Sequence, residues 1–253
     1  MLNIVIPMAG AGSRFSRAGY TDPKPLIKVH DIPMIRLVIE NLKPSVEHHF
    51  IFIIQKEHDE KYNLSENLNK WAPGCSIILL DSITEGAACT VLTAKHLIDN
   101  DNALMIANSD QFVDISIDDY LAKMERSSLA GLIMTMTADD PKWSFVGLDS
   151  TGNVSIVVEK EVISNEATVG IYNFRSGSSF VLAAQKMISR NERINNEFYV
   201  APAYNSLIND GMQIGIYNIG TEGKGMYGLG IPEDLNLFLQ TDISLDITGS
   251  LIP

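Results

Sequence analysis

Apolar residues along this chain fall into two alternating rhythms. Short runs rich in β-branched residues, Asn3 to Ile6, Phe50 to Ile54, Ser76 to Leu80 and Ala103 to Ala107, are apolar at nearly every position. That is the pattern of strands covered on both faces. Between them, Met34 to Leu42, Asp59 to Trp71 and Ala87 to Ile98 carry apolar residues three and four apart, which predicts helices with one buried stripe. The alternation predicts a βαβαβαβ unit, a parallel sheet with helices on both faces. Beyond residue 128 the rhythm changes. Leu132 to Thr137, Phe145 to Leu148, Val154 to Val158 and Val169 to Phe174 read as strands joined mostly by short turns such as Ser150-Thr151-Gly152-Asn153. They predict a mixed or antiparallel extension of the same sheet. Helical spacing returns at Ser178 to Ser189, Ala201 to Ile208 and Pro232 to Gln240. With no linker, repeat or low-complexity tract, residues 1–253 are expected to form a single α/β domain, divided near 130 into two parts.

Composition narrows the class. The 253 residues are 45% hydrophobic and 20% charged, enough to bury a sizeable core. Lys and Arg number 19 against 31 Asp and Glu, a formal charge of −12, which argues against nucleic acid and anionic membrane surfaces as partners. No apolar run approaches the roughly 18 residues of a membrane span. The opening segment has no basic region before its apolar run stops at Pro7, so no signal peptide is expected and a cytoplasmic location is. Cys75 and Cys89 lack metal-ligand spacing and read as reduced core thiols, and the five histidines show no ligand or triad spacing.

The candidate chemistry starts at the first loop. After strand one comes Pro7-Met8-Ala9-Gly10-Ala11-Gly12-Ser13-Arg14, whose two glycines let backbone amides approach an anion without a Cβ in the way. A third glycine is missing for a dinucleotide fingerprint, and no Gly-Lys-Ser/Thr follows for a Walker loop. The charge that follows is unusual for so acidic a chain: Arg14, Arg17, Lys24 and Lys28 against Asp22 alone. Pro23-Lys24-Pro25 holds one of these cations between two restricted φ angles. A local charge of 4 − 1 = +3 beside a glycine loop suits a triphosphate. Asp110 follows the Ala103 to Ala107 strand, at the carboxyl edge where open α/β sheets bind ligands, and a single carboxylate completed by phosphate oxygens is enough to anchor magnesium. Glu85-Gly86 precedes a helix, where backbone groups could meet the edge of a base. Asp114 reads as a turn or cap residue. Trp143 reads either as a platform for a ligand or as filling for the sheet face.

Gly10-Ala11-Gly12-Ser13-Arg14, eight residues, then Pro23-Lys24-Pro25-Leu26 resembles the signature of the nucleotidyltransferase (nucleoside-diphosphate-sugar pyrophosphorylase) family. Ala9 or Ala11 stands where the family pattern carries a further glycine. The similarity continues downstream: Glu85-Gly86-Ala87-Ala88 is similar to the family's base-recognition loop, Asn108-Ser109-Asp110 to its metal-binding motif, Val158-Glu159-Lys160 to its acceptor-phosphate lysine, and Val169-Gly170-Ile171-Tyr172 to its acceptor strand. The segment from Asn195 to Asn205, with Tyr199, resembles the part that lines the acceptor site.

The resemblance implies a Rossmann-like, GT-A-like, mostly parallel sheet whose mixed or antiparallel extension forms an acceptor subdomain. It implies a Mg2+-dependent enzyme binding a nucleoside triphosphate, CTP as the first choice, and a small phosphorylated acceptor. Its short branch is associated with capsule and lipopolysaccharide loci, with sugar 1-phosphates or non-sugar phosphates such as phosphocholine and phosphoglutamine as acceptors. A homodimer is left open. The implied roles are Ala9 through Arg14, Lys24, Glu85, Gly86, Asn108 and Asp110 at the nucleotide, Asp110 at the metal, and Glu159, Lys160, Gly170 and Tyr199 at the acceptor, with Arg14, Lys24 and Lys160 acting on the reacting phosphates. Gly228 stands where the family has a second metal acid; Glu233 and Asp234 read as caps of the following helix, and Glu197 is one acid that could stand in. The rival readings are a glycosyltransferase of family-2 type using a nucleotide-sugar donor, and a non-catalytic nucleotide sensor.

Overall fold

The computed structural model describes residues 1–251. The first half runs β1 (Leu2–Pro7), α1 (Ser13–Arg17), the short hairpin β2 (Lys28–Val29) and β3 (Ile32–Pro33), α2 (Met34–Leu42), β4 (His48–Gln55), α3 (Lys56–Tyr62), α4 (Leu64–Trp71) and β5 (Ser76–Leu80). It continues with α5 (Ala87–Leu92), α6 (Lys95–Ile98), β6 (Ala103–Ala107), β7 (Gln111–Val113) and α7 (Ile117–Glu125). The second half adds β8 (Gly131–Thr137), β9 (Ser144–Leu148), β10 (Val154–Glu159), β11 (Glu166–Phe174), α8 (Gly177–Ser189) and α9 (Tyr204–Asn209), then β12 (Ile214–Glu222), β13 (Gly225–Gly228), α10 (Pro232–Phe238) and α11 (Asp242–Leu251).

Eleven strands form one mixed sheet in the order β5, β4, β1, β6, β11, β8, β12, β13, β7, with β9 and β10 attached as a hairpin beside β11. The first four are parallel, as the alternating pattern predicts. β11 then runs against both β6 and β8, so the sheet changes direction beside the carboxyl end of β6. That reversal is the mixed extension of a Rossmann-like sheet, and it leaves a crevice at the strand ends.

Alternate residues of the central strands feed two cores. Ile4, Ile6, Phe52 and Met105 meet α2, α4 and α7 on one face, while Val5, Ile51, Ile53 and Leu104 meet α5, α6, α8 and α9 on the other. β5 corrects the expectation of burial on both faces: it is an edge strand, and Leu79 is 45% exposed. The helix expected over Asp59 to Trp71 is two helices, broken at Asn63, whose left-handed φ of 50° ends α3 and starts α4. Only the second half is anchored: α4 buries Leu64 and Leu68 in the first core, whereas α3 buries no residue. Likewise Ala87 to Ile98 is split into α5 and α6. α7 carries the legible stripe Ile117, Tyr120, Leu121, Met124. β12 and β13 have no such signal, since both are interrupted by glycine. Cys75 and Cys89 are half-buried free thiols and not deep core residues; burial pushes both thiols up, away from thiolate formation.

A third, smaller core fixes the site's floor. Phe15 of α1, Ile27, Val29, Phe112, Leu229, Leu235 and Phe238 pack together, tying the first loop to the segment after β6 and to α10.

The second core centres on Tyr204, fully buried, stacked on Phe174 at 4.3 Å and donating its hydroxyl to the Asn173 carbonyl at 2.7 Å. Replacing Tyr204 with Phe removes only that donor and leaves a buried carbonyl short of a partner. Urea unfolding of Tyr204→Phe is expected to show a loss of about 1 to 3 kcal/mol with an unchanged m-value. Stability equal to the parent would mean that the Asn173 carbonyl has another partner.

Candidate active site

The first loop is built on local steric needs. Gly12 takes φ 60°, which starts α1, and Phe15 anchors that helix in the third core. The Gln55 side chain donates to the carbonyls of Ala9 (2.8 Å) and Gly10 (3.2 Å), fixing the loop's path. After a bend, Lys24 opens a single 3-10 turn between its two prolines. Its Nζ lies 2.8 Å from Asp110 Oδ2, joining positions 86 residues apart, with both side chains about three-quarters buried. Asp110 is held in turn by strand pairing: Leu229 N donates to the Asp110 carbonyl at 2.8 Å. A Cβ on Gly230 would stand 2.5 Å from Asp110 Oδ2, so a glycine there keeps the space beside the carboxylate open.

Beside this pair lies a cavity of about 480 Å3 at the crevice where β11 reverses against β6. Of the expected site residues, Arg14, Lys24, Asn108, Glu159, Lys160, Gly170 and Tyr199 line it. Gly10, Ala11 and Gly12 face instead a smaller cleft of about 200 Å3, and Lys24 borders both. Ala9 is buried, and Ser13 accepts Arg17 through its carbonyl and hydroxyl. The cation-rich stretch is thereby divided. Arg14 and Lys24 face the cavity, Arg17 folds back on its own helix, and Lys28 sits exposed on β2.

Gly170 explains how Asn108 comes to the rim. Its φ of 80° interrupts β11, whose pairing with β8 slips between Thr168 and Tyr172. The Gly170 carbonyl accepts Asn108 N at 3.0 Å, and a Cβ on Gly170 would collide with the Asn108 amide.

Two of the expected residues at the far wall make other contacts. Glu85 does not line the cavity: its carboxylate is 64% exposed and paired with Arg193 at 3.1 Å. Gly86 spends its carbonyl on Thr90 N and on the hydroxyls of Thr84 and Thr90. Its φ of 123° and a Cβ position 2.6 Å from both Phe198 N and O show why only glycine fits. This loop clamps the segment after α8: Phe198 N donates to the Glu85 carbonyl at 2.8 Å and Ala88 N to the Phe198 carbonyl at 2.9 Å. Ala87, Glu197 and Val200 reach the cavity through that clamp. The Gly86 to Phe198 contact carries no sequence signal.

At the opposite end of the cavity, Lys160 adopts a left-handed φ of 58° and gives its N–H to the Trp143 carbonyl at 3.0 Å. Its ammonium donates to the Tyr199 hydroxyl at 2.7 Å and lies over that ring, an interaction that holds Lys160 above its ordinary pKa and keeps it cationic. Glu159 points inward, buried, and accepts the Ser144 hydroxyl. Burial raises its carboxyl above the ordinary range, against the pull of the Ser144 hydroxyl and Lys160. Trp143 is half-buried, packed on the first core, with a buried Nε1 lacking a partner.

Glu233 and Asp234 lie in the first turn of α10, at its positive dipole end, though the N-cap itself is Ile231 without a side-chain bond; the Asp234 carboxylate also lies over Gly228, 3.1 Å from where a Cβ would be. Asp114 lies in the turn between β7 and α7 and not at the N-cap, which is Ser116; its N–H donates to the Gly225 carbonyl at 2.7 Å. Among the described residues no three His, Cys, Asp or Glu side chains gather as a self-contained metal centre, and no helix is long and apolar enough to cross a membrane.

A glycine loop, a cation against a strand-end aspartate, and a second cation across one crevice define a phosphate-handling α/β protein. The nucleotidyl transferase family model matches residues 4–207, and the chain belongs to that family. Among solved structures it superposes on the nucleoside-diphosphate-sugar pyrophosphorylase of Vibrio cholerae RC9 with a TM-score of 0.80 and 26% identity, over 94% of this chain and all of that one. It is 27% identical to the bifunctional protein GlmU of Methanococcus maripaludis, over 99% of this chain but 60% of that protein's length. The low-salt glycan biosynthesis nucleotidyltransferase Agl11 of Haloferax volcanii is 24% identical over 98% of this chain and 68% of its own.

The raised Glu159 carboxyl has a consequence for stability. A carboxyl whose folded pKa exceeds its unfolded one binds its proton more tightly in the native state, so stability falls as pH climbs from the ordinary carboxylate range through the raised value. Glu159→Gln is therefore expected to be more stable than the parent near about pH 8 and to lose that advantage near about pH 4, read by urea titration at both. An advantage that does not change with pH would put the effect in packing and not in ionisation.

Proposed function

We propose that this chain transfers a nucleoside monophosphate from a nucleoside triphosphate, CTP being the first to test, to the phosphate of a small phosphorylated acceptor, with release of pyrophosphate. The acceptor is a sugar 1-phosphate or a non-sugar phosphate such as phosphocholine or phosphoglutamine, and the product serves capsule or other surface polysaccharide synthesis from the cytoplasm. One observation carries the reading: Arg14 and Lys24 at one end and Lys160 at the other share a single cavity at the strand ends of a chain whose net charge is −12.

An acceptor phosphate oxygen attacks the α-phosphorus, the bond to the bridging oxygen of the β-phosphate breaks, and pyrophosphate departs with the electron pair. No covalent enzyme intermediate is needed. Bringing two polyanions together is the main difficulty, so neutralisation and alignment dominate, as in other phosphoryl transfers. Arg14 and the glycine loop hold the β- and γ-phosphates, Lys24 stabilises charge at the α-phosphoryl group, and Lys160, steadied by Tyr199, orients the acceptor phosphate. Asp110, with the open space that Gly230 leaves beside it, suits a magnesium ion completed by phosphate oxygens and water. Such an ion, when bound, supplies further neutralisation of the phosphates. Lys24 then exchanges its bond to Asp110 for one to the nucleotide.

The test is a matrix of nucleoside triphosphates against phosphorylated acceptors, followed by pyrophosphate release. Lys24→Ala and Asp110→Ala are each expected to lose about a hundred- to a thousandfold in turnover, about 3 to 4 kcal/mol, with unchanged thermal melts. Near-normal turnover in either removes that residue from the mechanism. Transfer from a nucleotide-sugar without pyrophosphate would instead favour a glycosyltransferase, and nucleotide binding without turnover a sensor.

A further inference from the structure

Lys142, which precedes β9, borders two cavities. One is the 480 Å3 site, where it joins Arg14, Lys24 and Lys160; the other, of about 330 Å3, is lined by Glu222 and Asp234. Its ammonium lies on the acidic side, 3.0 and 3.2 Å from the two Glu222 carboxylate oxygens and 4.0 Å from Asp140, over the Trp143 ring at 4.8 Å. Its backbone is fixed, because Lys142 N donates to Asp140 Oδ1 at 2.9 Å and the Trp143 carbonyl accepts Lys160 N. Base and head therefore differ: a pinned main chain carries a four-carbon stem whose end can swing between the two cavities.

We propose that Lys142 is a mobile phosphate-binding cation of this site, parked on Glu222 in the unliganded protein and drawn onto the β- or γ-phosphate of the triphosphate when it binds. The inference rests on the nucleotidyl transfer proposed above. Two observations and one general property of phosphates carry it. The Lys142 to Glu222 pair is 40% exposed on both sides, and pairs so exposed contribute little, so exchanging Glu222 for a phosphate costs little. Lys142 shares the smaller cavity with Gly228 and Asp234, and Gly228 pairs with Gln111, the neighbour of Asp110, which sets the Lys142 ammonium on the Asp110 and Lys24 side of the site and hence at the triphosphate end. A phosphoryl group carries more charge than the Glu222 carboxylate and accepts up to three donors, so it outcompetes the carboxylate once present.

The experiment is calorimetric titration of inorganic pyrophosphate, CTP and glucose 1-phosphate into the wild type, Lys142→Met, Glu222→Gln and the double variant, each first checked by thermal melt. Lys142→Met is expected to weaken pyrophosphate and CTP by about tenfold or more, the scale of one charge-assisted hydrogen bond, and to leave glucose 1-phosphate within about twofold. Glu222→Gln is expected to tighten pyrophosphate in the wild-type background and to have no effect in the Lys142→Met background, because its only role is to hold the ammonium back. Unchanged pyrophosphate affinity in Lys142→Met, a loss confined to glucose 1-phosphate, or an equal Glu222→Gln effect in both backgrounds would overturn the assignment while leaving nucleotidyl transfer intact. A wild type that takes up neither CTP nor pyrophosphate would overturn both together.

Discussion

The ion pair between Lys24 and Asp110 is the contact on which the site depends. It crosses 86 residues and joins the two features that a phosphate chemistry needs, a preset cation and a carboxylate at a strand end. Local and distant contacts together place each partner. Lys24 is aimed by two prolines and by the anchoring of Phe15 in the third core; Asp110 is aimed by the end of β6 and by its pairing with Leu229. Buried to a similar degree, each offsets the other's charge until a ligand takes over that role.

Around that pair the fold separates scaffolding from chemistry. The central parallel strands and the buried faces of the helices packed on them are apolar and supply a rigid edge. Glycines appear where backbone must come close: Gly170 lets Asn108 reach the rim, Gly86 lets the following helix touch Phe198, and Gly230 leaves room beside Asp110. A methyl group at any of the three would meet a backbone atom or a site side chain, so each glycine is a statement about clearance.

The acidity of the chain is organised in the same way. A net charge of −12 would repel anions if spread evenly, yet the cavity is bordered by four cations, Arg14, Lys24, Lys142 and Lys160. Three of the acids beside them are paired or buried, Asp110 on Lys24, Glu222 on Lys142 and Glu159 under a Ser144 hydroxyl, while Glu197 stays exposed at the rim. Local potential, which decays over about 8 Å in physiological salt, therefore counts for more here than the total.

Much of this architecture was legible in the residues alone. The apolar runs and the helices between them pointed to the parallel half of the sheet, and for β1, β4 and β6 the reason is burial on two faces, which leaves a continuous apolar signature; β5 is as apolar but lies at the edge. Order and spacing from Gly10 to Leu26, with Asp110, Lys160 and Gly170 downstream, pointed to the family, because a phosphate cradle constrains residue type at short range. What the chain could not announce was anything settled by distant packing. The break at Asn63, the edge position of β5, the turning of Glu85 away from the cavity toward Arg193, and the lie of Asp234 over Gly228 all depend on partners far along the sequence. Local periodicity reports which face of an element is covered; it holds no record of what covers it, and only the closed tertiary structure decides that.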